Sequence, residues 1–365
     1  MALDRVTLAS FRNHPETRLD GTAAFNLLVG ENGAGKTNVL EALSLLAPGR
    51  GLRRAALPEI AGHGGNGGFA VSAQLAQADG EPVVLGTATA PDRPGRRLAQ
   101  VNGAATSAMA LGEWLAIGWL TPAMDRLFMD SAAHRRRYLD RLAVALDPNH
   151  ARHAARYEAA LRERNRLLAG DAEPDSAWLD AIEAPLAEAG ALLAAGRARL
   201  VAQLSARLAD LPQEPFARPA LTLMPGGAQD QHALADLLAT GRARDRAAGR
   251  TLTGPHRDEL DVAMHGKGAN GQMPAAQCST GEQKAMLIAL TLAHAELASG
   301  ARPGVLLLDE VAAHLDPLRR AAMFTRLRDT GAQVWLTGTE PAPFSDIAGE
   351  AAVWRVAGGA VERVA

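Results

Sequence analysis

The sequence predicts an α/β fold in which a mixed sheet with helices is interrupted by a long helical insertion. Three observations carry this reading. Gly30-Glu31-Asn32-Gly33-Ala34-Gly35-Lys36-Thr37 fills every required position of the phosphate-binding pattern G-x-x-x-x-G-K-S/T, between the strand-like run 25–29 and the helically spaced run 38–46. Near the other end, the apolar run 305–308 and the run 333–337 read as neighbouring buried parallel strands, with a helix over 317–328 between them. From 107 to 250, Ala, Leu, Arg and Glu dominate and helical spacing replaces alternation. The two ends of the chain therefore want one sheet. Residues 1–106 and 251–365 form one discontinuous lobe, and 107–250 an inserted helical lobe with a short hairpin arm.

Taken in order, 5–8 and 25–29 read as strands joined through Phe11-Arg12-Asn13-His14-Pro15. A helix follows the Gly-rich loop, then a second Gly-rich loop at 62–68 and strands at 69–75 and 83–89, with sheet to about residue 102. In the insertion, Trp178, Ile182, Leu186, Leu193, Leu200, Leu204, Leu208 and Leu211 fall on one face of a long helix, which Pro185 kinks or splits near its start. Its antiparallel partner covers 151–168 across a turn at 170–174; at about 35 residues per arm the hairpin reaches only about 50 Å. Strands resume at 251–253 and in a hairpin over 259–264, a polar connection spans 267–274, and 281–297 is a helix.

At 365 residues the chain is long enough for two domains or for one large domain carrying an insertion, with ample core in either case. A formal net charge of −2 announces no global affinity for nucleic acid, so any such surface is local. Lysine occurs only at 36, 267 and 284. The single cysteine, Cys278, forms no internal disulfide, and no Cys/His cluster has zinc spacing. No run approaches the roughly eighteen apolar residues of a membrane span, so a soluble, cytoplasmic protein is expected.

The Gly-rich loop has a physical logic. Glycines at 30, 33 and 35 permit backbone angles closed to other residues, so successive N–H groups form an anion nest at a helix N-terminus. Lys36 adds a charge for β and γ phosphates, and the Thr37 hydroxyl is placed to ligate Mg2+. Gly30, Asn32, Gly33, Ala34, Gly35, Lys36, Thr37 and Asn38 are thus the candidate nucleotide residues; the competing reading is a Gly-rich turn with a chance Lys-Thr. Asp309-Glu310 ends the apolar run as a Walker B pair. Adjacent strand residues face opposite ways, so Asp309 is expected to hold Mg2+ and Glu310 to orient or deprotonate the attacking water.

Ser279-Thr280-Gly281-Glu282-Gln283-Lys284 opens a helix and resembles the signature motif of ABC-type ATPases, in which a serine hydroxyl and a glycine N–H close on a γ phosphate held by another subunit. The competing reading is a helix cap with Glu282 completing a capping box. The resemblance puts Ala313-His314-Leu315-Asp316 in the D-loop slot. Thr337-Gly338-Thr339 stands where many ABC proteins carry a switch histidine, so the γ-phosphate sensor is a threonine or absent, and hydrolysis is expected to be slow. No glutamine is assigned to a Q-loop.

Phe11-Arg12-Asn13, the loop continuing as Thr37 to Ala42, His134-Arg135-Arg136-Arg137-Tyr138-Leu139-Asp140, Gly254-Pro255-His256-Arg257-Asp258 and the Ser279 to Lys284 segment together resemble the RecF family of bacterial recombination mediators, related to SMC-type ATPases. The chain departs from the family at Pro122-Ala123-Met124-Asp125, where an acidic run is usual, and at Gly51, where a serine is. The resemblance implies an ABC-type P-loop ATPase head with ATP and Mg2+ as cofactors, with Gln283 alongside Ser279 and Gly281 at the nucleotide and Arg12 and Asn13 near its base and ribose. It implies ATP-dependent homodimers, slow DNA-stimulated hydrolysis, binding of DNA at gaps or junctions, and cooperation with RecR and RecO in loading RecA. An ABC transporter subunit and a P-loop kinase are the alternatives; the long insertion and missing switch histidine count against the first, the signature and D-loop against the second.

Between 131 and 168 nine arginines face four acidic residues, a local excess suited to backbone phosphates. Arg135 and Arg136 there, and Arg53 and Arg54 beside Arg50, are the DNA candidates. Arg135, Arg136 and Arg137 point different ways on a helix, so at least one is expected to pair internally. Aromatics are too few for a single-strand stacking platform. For His256 and Arg257, structural and functional roles both stay open.

Overall fold

The computed structural model describes residues 2–365 apart from 63–66, 77–79, 171, 173, 213, 269–270 and 301. Parts of the Gly-rich loop at 62–68, the turn at 170–174 and the connection at 267–274 therefore lie outside the described residues. The chain divides into two compact units, one comprising Met1–Asp125, Pro212–Phe216 and Leu287–Ala365, the other Arg126–Leu211 and Ala217–Met286.

The first unit opens with β1 (Leu3–Phe11), β2 (His14–Asp20), β3 (Phe25–Val29), α1 (Lys36–Ser44), α2 (Leu57–Ile60), β4 (Phe69–Leu75), β5 (Val83–Ala90), β6 (Arg93–Val101), β7 (Ala104–Thr106) and β8 (Ala116–Leu120). The second contains α3 (Ala132–Leu146), α4 (Asn149–Leu168), α5 (Ser176–Ala209), β9 (Pro219–Met224), α6 (Gln231–Thr240), α7 (Arg242–Ala247), β10 (Glu259–His265), β11 (Gln272–Pro274) and the start of α8 (Thr280–Ala298). The chain returns to the first unit within α8 and ends there with β12 (Gly304–Leu308), α9 (Pro317–Asp329), β13 (Gln333–Gly338), β14 (Ala351–Ala357) and β15 (Ala360–Arg363).

Two sheets build the first unit. One is antiparallel, ordered β2-β1-β4-β5-β6-β7; the other runs β15-β14-β3-β13-β12-β8 and is parallel except for its β14-β15 hairpin. Every residue of β12 and β13 is buried, as their unbroken apolar runs require. An N-terminal strand, β3, lies between two C-terminal ones, so the expectation of one sheet shared by both chain ends holds.

Several elements differ from the sequence reading. The strand over 5–8 is longer and turns straight back through β2, so it does not lead to 25–29 as a partner. Pro15 lies on β2, an edge strand, where a missing N–H costs no ladder bond. Residues 116–120, expected within the helical insertion, form β8, paired in parallel with β12 from Ala116↔Gly304 to Leu120↔Leu308. Residues 251–253 are not a strand; β10 pairs instead with β9, inside the expected helical stretch, and with β11. Pro185 does not split α5, which runs through it. Of the predicted stripe, Leu186, Leu193, Leu200, Leu204 and Leu208 are buried, whereas Trp178 is 53% exposed. The arms are unequal: α4 has 20 residues and α5 has 34. Among the described residues no helix is long and apolar enough to cross a membrane.

The second unit is held by buried ion pairs as well as leucines. Arg164, wholly buried on α4, donates to Glu183 (2.8 Å), Asp245 (2.8 Å), Thr251 Oγ1 (2.7 Å) and the Leu238 carbonyl (2.9 Å). One side chain thus ties α4 to α5, α6 and α7. Arg164→Met keeps the stem but takes the guanidinium from buried Asp245 and leaves buried Glu183 to Arg242 alone, and should destabilise the protein by about 3–5 kcal/mol. Chemical denaturation measures this; a loss below about 1 kcal/mol would show that water reaches the carboxylates.

The 254–258 stretch resolves as a second knot. Gly254 has φ 132°, and a Cβ there would stand 2.5 Å from the Tyr157 hydroxyl. His256 Nδ1 lies 2.7 Å from that hydroxyl and its Nε2 3.0 Å from the Thr251 carbonyl; burial pushes the pKa of His256 down. Asp258 accepts from Arg197 (2.8 Å) and from the Gly226 N–H (2.8 Å), while Arg197 also grips Asp140 and the Pro255 carbonyl. His256 is accounted for structurally; Arg257 is exposed.

Candidate nucleotide site

The loop of residues 30–37 joins β3 to α1, in the strand-loop-helix order its sequence demands. Gly33 and Gly35 have φ of 80° and 116°, the left-handed region that penalises a Cβ. Gly30 does not; it is needed because a Cβ there would stand 2.1 Å from the Val356 carbonyl. The expectation of special angles is thus correct at 33 and 35 and corrected at 30, where close approach is the reason.

The loop is gripped from behind by residues distant in sequence. Asn13 Nδ2 donates to the Ala34 carbonyl (3.0 Å), which also accepts from the Gly359 N–H (3.1 Å). Wholly buried His14 places Nε2 3.1 Å from the Gly35 carbonyl and Nδ1 3.0 Å from Thr17 Oγ1. With these carbonyls engaged, the N–H groups of Gly33, Gly35, Lys36 and Thr37 donate to no backbone carbonyl among the described residues. Together with the N-terminus of α1 they are the unpaired donors that a phosphate chain would take. Lys36, only 4% exposed, holds its ammonium on the same loop, donating to the carbonyls of Gly30 (2.7 Å) and Glu31 (2.9 Å). Asn32 is exposed.

Neither Arg12 nor Asn13 stands alone. Buried Glu41 on α1 accepts from Arg12 Nη2 (2.8 Å) and from Arg53 Nη1 (3.0 Å). Arg53 also donates to Asn38 Oδ1 (2.6 Å), and Asn38 in turn to Asn13 Oδ1 (2.7 Å). Arg12, Asn13, Asn38, Glu41 and Arg53 thus form one network flanking the loop. His14, Glu41, Val356 and Gly359 were not singled out from sequence: Gly359 lies more than 300 residues away, and a lone histidine before a proline carries no pattern.

Across the sheet, β12 delivers Asp309 and Glu310. Asp309 is 7% exposed; its carboxylate accepts from Thr37 Oγ1 at 2.9 and 3.1 Å and from Thr337 Oγ1 at 2.8 Å. Two residues 272 apart in sequence, the loop hydroxyl and the strand-end acid, therefore meet. This hard-oxygen pair fits Mg2+, which takes one or two protein ligands and completes its octahedron with phosphate oxygens and water. Among the described residues no cluster of three or more His, Cys, Asp or Glu offers an all-protein metal cage. Glu310 is half-buried, has φ 54°, a conformation that costs a non-glycine residue roughly 1–3 kcal/mol, and its carboxylate has no hydrogen-bond partner among the described residues. Asp309 is thus oriented by two hydroxyls and keeps lone pairs for a cation, whereas Glu310 keeps an acceptor for a water proton.

The signature segment starts α8 in the second unit. The capping box weighed as the competing reading is present: Ser279 donates from its N–H (2.8 Å) and hydroxyl (3.0 Å) to Glu282 Oε2, and the Glu282 N–H points back at Ser279 Oγ (3.3 Å). Lys267 also reaches Glu282, and with these bonds pulls its carboxyl down to about 2. Ser279, Thr280 and Gly281 are exposed on the helix start. Gln283 is not; it is 5% exposed and its amide donates to the Cys278 carbonyl (2.9 Å), so its place among the ligands is corrected to a support of the segment's backbone. In the D-loop slot, Asp316 caps α9 by accepting from the Arg319 N–H (2.9 Å).

Most of the arginine excess is internally matched. Arg135 pairs with Glu259 (2.7 Å) and Arg136 donates to the Asp258 carbonyl (2.8 Å), while burial, first, lowers the Arg136 pKa. Arg156, Arg162 and Arg166 pair with glutamates, and Arg164 is the buried tie described above. Arg137 and Arg152 remain exposed with no acidic partner among the described residues. Arg53 is committed to Glu41, and Arg54 is exposed on a left-handed backbone, φ 58°.

Comparison with known proteins agrees with this geometry. Residues 2–347 match the model of the RecF/RecN/SMC N terminal domain. The chain is 47% identical to the DNA replication and repair protein RecF of Mesorhizobium japonicum, over 96% of this chain and 94% of that protein. It is 46% identical to the protein of the same name from Brucella suis, over 98% and 95%. Among solved structures it resembles the recombination mediator protein RecF-ATPrS in the RecFOR pathway, with TM-score 0.85 at 23% identity, covering 100% of this chain and 98% of that one. The Smc head domain of Pyrococcus furiosus, with TM-score 0.54 and 15% identity over 100% and 96%, shares the fold more distantly.

Proposed function

The chain belongs to the RecF/RecN/SMC family and, within it, to the RecF DNA replication and repair proteins, and from that premise we propose that it is an ATP-binding recombination mediator working as an ATP-gated homodimeric DNA clamp. The observation that carries the nucleotide reading is the meeting of Thr37 and Asp309, since it assembles a loop of unpaired N–H donors, a lysine and a cation-ligating pair in one place. Gly30 to Asn38 would bind the phosphates of ATP; Thr37 and Asp309 would hold Mg2+, which supplies charge neutralisation at the β and γ phosphates. Glu310 would take the proton of the attacking water, giving slow hydrolysis that DNA stimulates.

Ser279 and Gly281 would complete the site on a second copy. They are exposed at the start of α8, where N–H groups lack helical partners, a position suited to an anion. The discontinuous first unit is the ATP-binding lobe on this reading, and the helical unit carries the signature. DNA at single-strand gaps or junctions is the proposed substrate, contacted through its backbone, with RecR, RecO and RecA as partners and the cytoplasm as compartment. Arg137 and Arg152 are better candidates for phosphate contacts than Arg135, Arg136 or Arg53, whose guanidinium groups are already bonded within the chain. The transporter alternative finds no support in relatives that are DNA replication and repair proteins.

The test is light scattering with and without ATP, combined with binding to gapped duplex across a salt series. The protein should be a dimer only with ATP, and the logarithm of DNA affinity should fall linearly with that of salt at about −0.9 per phosphate contacted. DNA binding indifferent to both ATP and salt would overturn the clamp.

A further inference from the structure

We propose that Thr337, the threonine of the Thr337-Gly338-Thr339 segment that lies within β13, is the positioning residue of the Walker B pair and acts on Asp309 and Glu310 rather than on the γ phosphate. This rests on the reading of the site as an ATPase centre. Thr337 is 1% exposed on β13, the parallel neighbour of β12, one step beyond the Leu308↔Leu336 pair. That register puts its hydroxyl level with the residues that leave β12. The hydroxyl has one proton, donated to Asp309 Oδ1 at 2.8 Å, and it accepts the Glu310 N–H at 2.8 Å. With its single proton committed, it has none to offer a phosphate.

The two bonds do different things. The one to Asp309, with that from Thr37, holds the carboxylate by two hydroxyls, so the acid is pre-oriented for a cation. The one to Glu310 fastens the N–H of a residue held at φ 54°, so the strained turn that separates the two acids is anchored to the next strand. An alanine or valine at 337 removes both bonds at once. The next threonine, Thr339, is exposed and shares neither bond.

The variants Thr337→Val, near in shape but without the hydroxyl, and Thr337→Ser, which restores it, are compared with wild type. Melting curves, affinity for a fluorescent ATP analogue without and with Mg2+, and hydrolysis at saturating ATP are read. Thr337→Val should keep Mg2+-free affinity within about three-fold, lose the gain in affinity that Mg2+ brings, and hydrolyse about ten- to a hundred-fold more slowly. Thr337→Ser should stay within about three-fold of wild type in all three. If Thr337→Val does not fold, Thr337→Ala takes its place with the same expected losses. Wild-type hydrolysis in the hydroxyl-free variant overturns the proposal, and so does a serine variant as slow as the valine, since the methyl group would then be what matters. A wild-type chain that neither binds nor hydrolyses ATP overturns this proposal together with the site reading beneath it, an outcome visible before any variant is compared.

Discussion

Lys36→Ala should abolish nucleotide binding at working concentrations while leaving the melting temperature nearly unchanged. Lys36 is 4% exposed and its two bonds go to carbonyls of the loop itself, so its removal takes away no tie between elements. For a phosphate chain the lysine is the side-chain cation on the loop, and charge-assisted bonds contribute about 1.5–3 kcal/mol each. Two such bonds, to the β and γ phosphates, amount to about 3–6 kcal/mol, or at least a hundred-fold in affinity at 1.4 kcal/mol per decade. Titration with a fluorescent ATP analogue reads this directly. An affinity within three-fold of wild type would mean that the nest of N–H groups is not where the phosphates sit.

The loop was legible because its chemistry is local: eight consecutive residues specify donors, backbone freedom and helix start. What braces it was not. His14, Val356 and Gly359 reach the loop through strand pairing and turns that no spacing rule connects, and the reason for Gly30 is visible only once β14 lies beside it. The same limit explains β8. Ala116-Ile117-Gly118-Trp119-Leu120 is a short apolar run, and periodicity alone does not separate a five-residue buried strand from a turn of buried helix. Its helical surroundings decided the reading wrongly; its pairing with β12, almost 190 residues on, decides it correctly.

Charge was legible in number and not in disposition. Nine arginines between 131 and 168 outnumber the acids nearby in sequence, but Glu188, Glu183, Asp245 and Glu259, which pair with three of them, lie on other elements. A sequence window counts charges along the chain, whereas neutralisation happens across it. The 254–258 segment shows the converse: a conspicuous motif of Gly, Pro, His, Arg and Asp is chiefly a bracket for Tyr157 and Arg197, with only Arg257 left facing outward.

Ser279→Arg should bind ATP as wild type does and yet remain monomeric in light scattering. The loop of residues 30–37 belongs to the first unit and Ser279 to the second, so the substitution leaves every residue of the phosphate nest in place. At Ser279 it removes a hydroxyl now shared with Glu282 and sets a long cation at the helix start, beside an acid it will pair with, over the N–H groups that a partner's phosphate would need. A two-fold dimer contains two such composite sites, so every loss is counted twice. At about 1.5–3 kcal/mol per lost phosphate contact, the pair amounts to about 3–6 kcal/mol, a weakening of at least a hundred-fold in dimerisation. Ser279→Ala, which deletes the hydroxyl without filling the space, should fall between the two. An ATP-dependent Ser279→Arg dimer of wild-type strength would sink the composite site, because phosphate and signature could then not share one pocket.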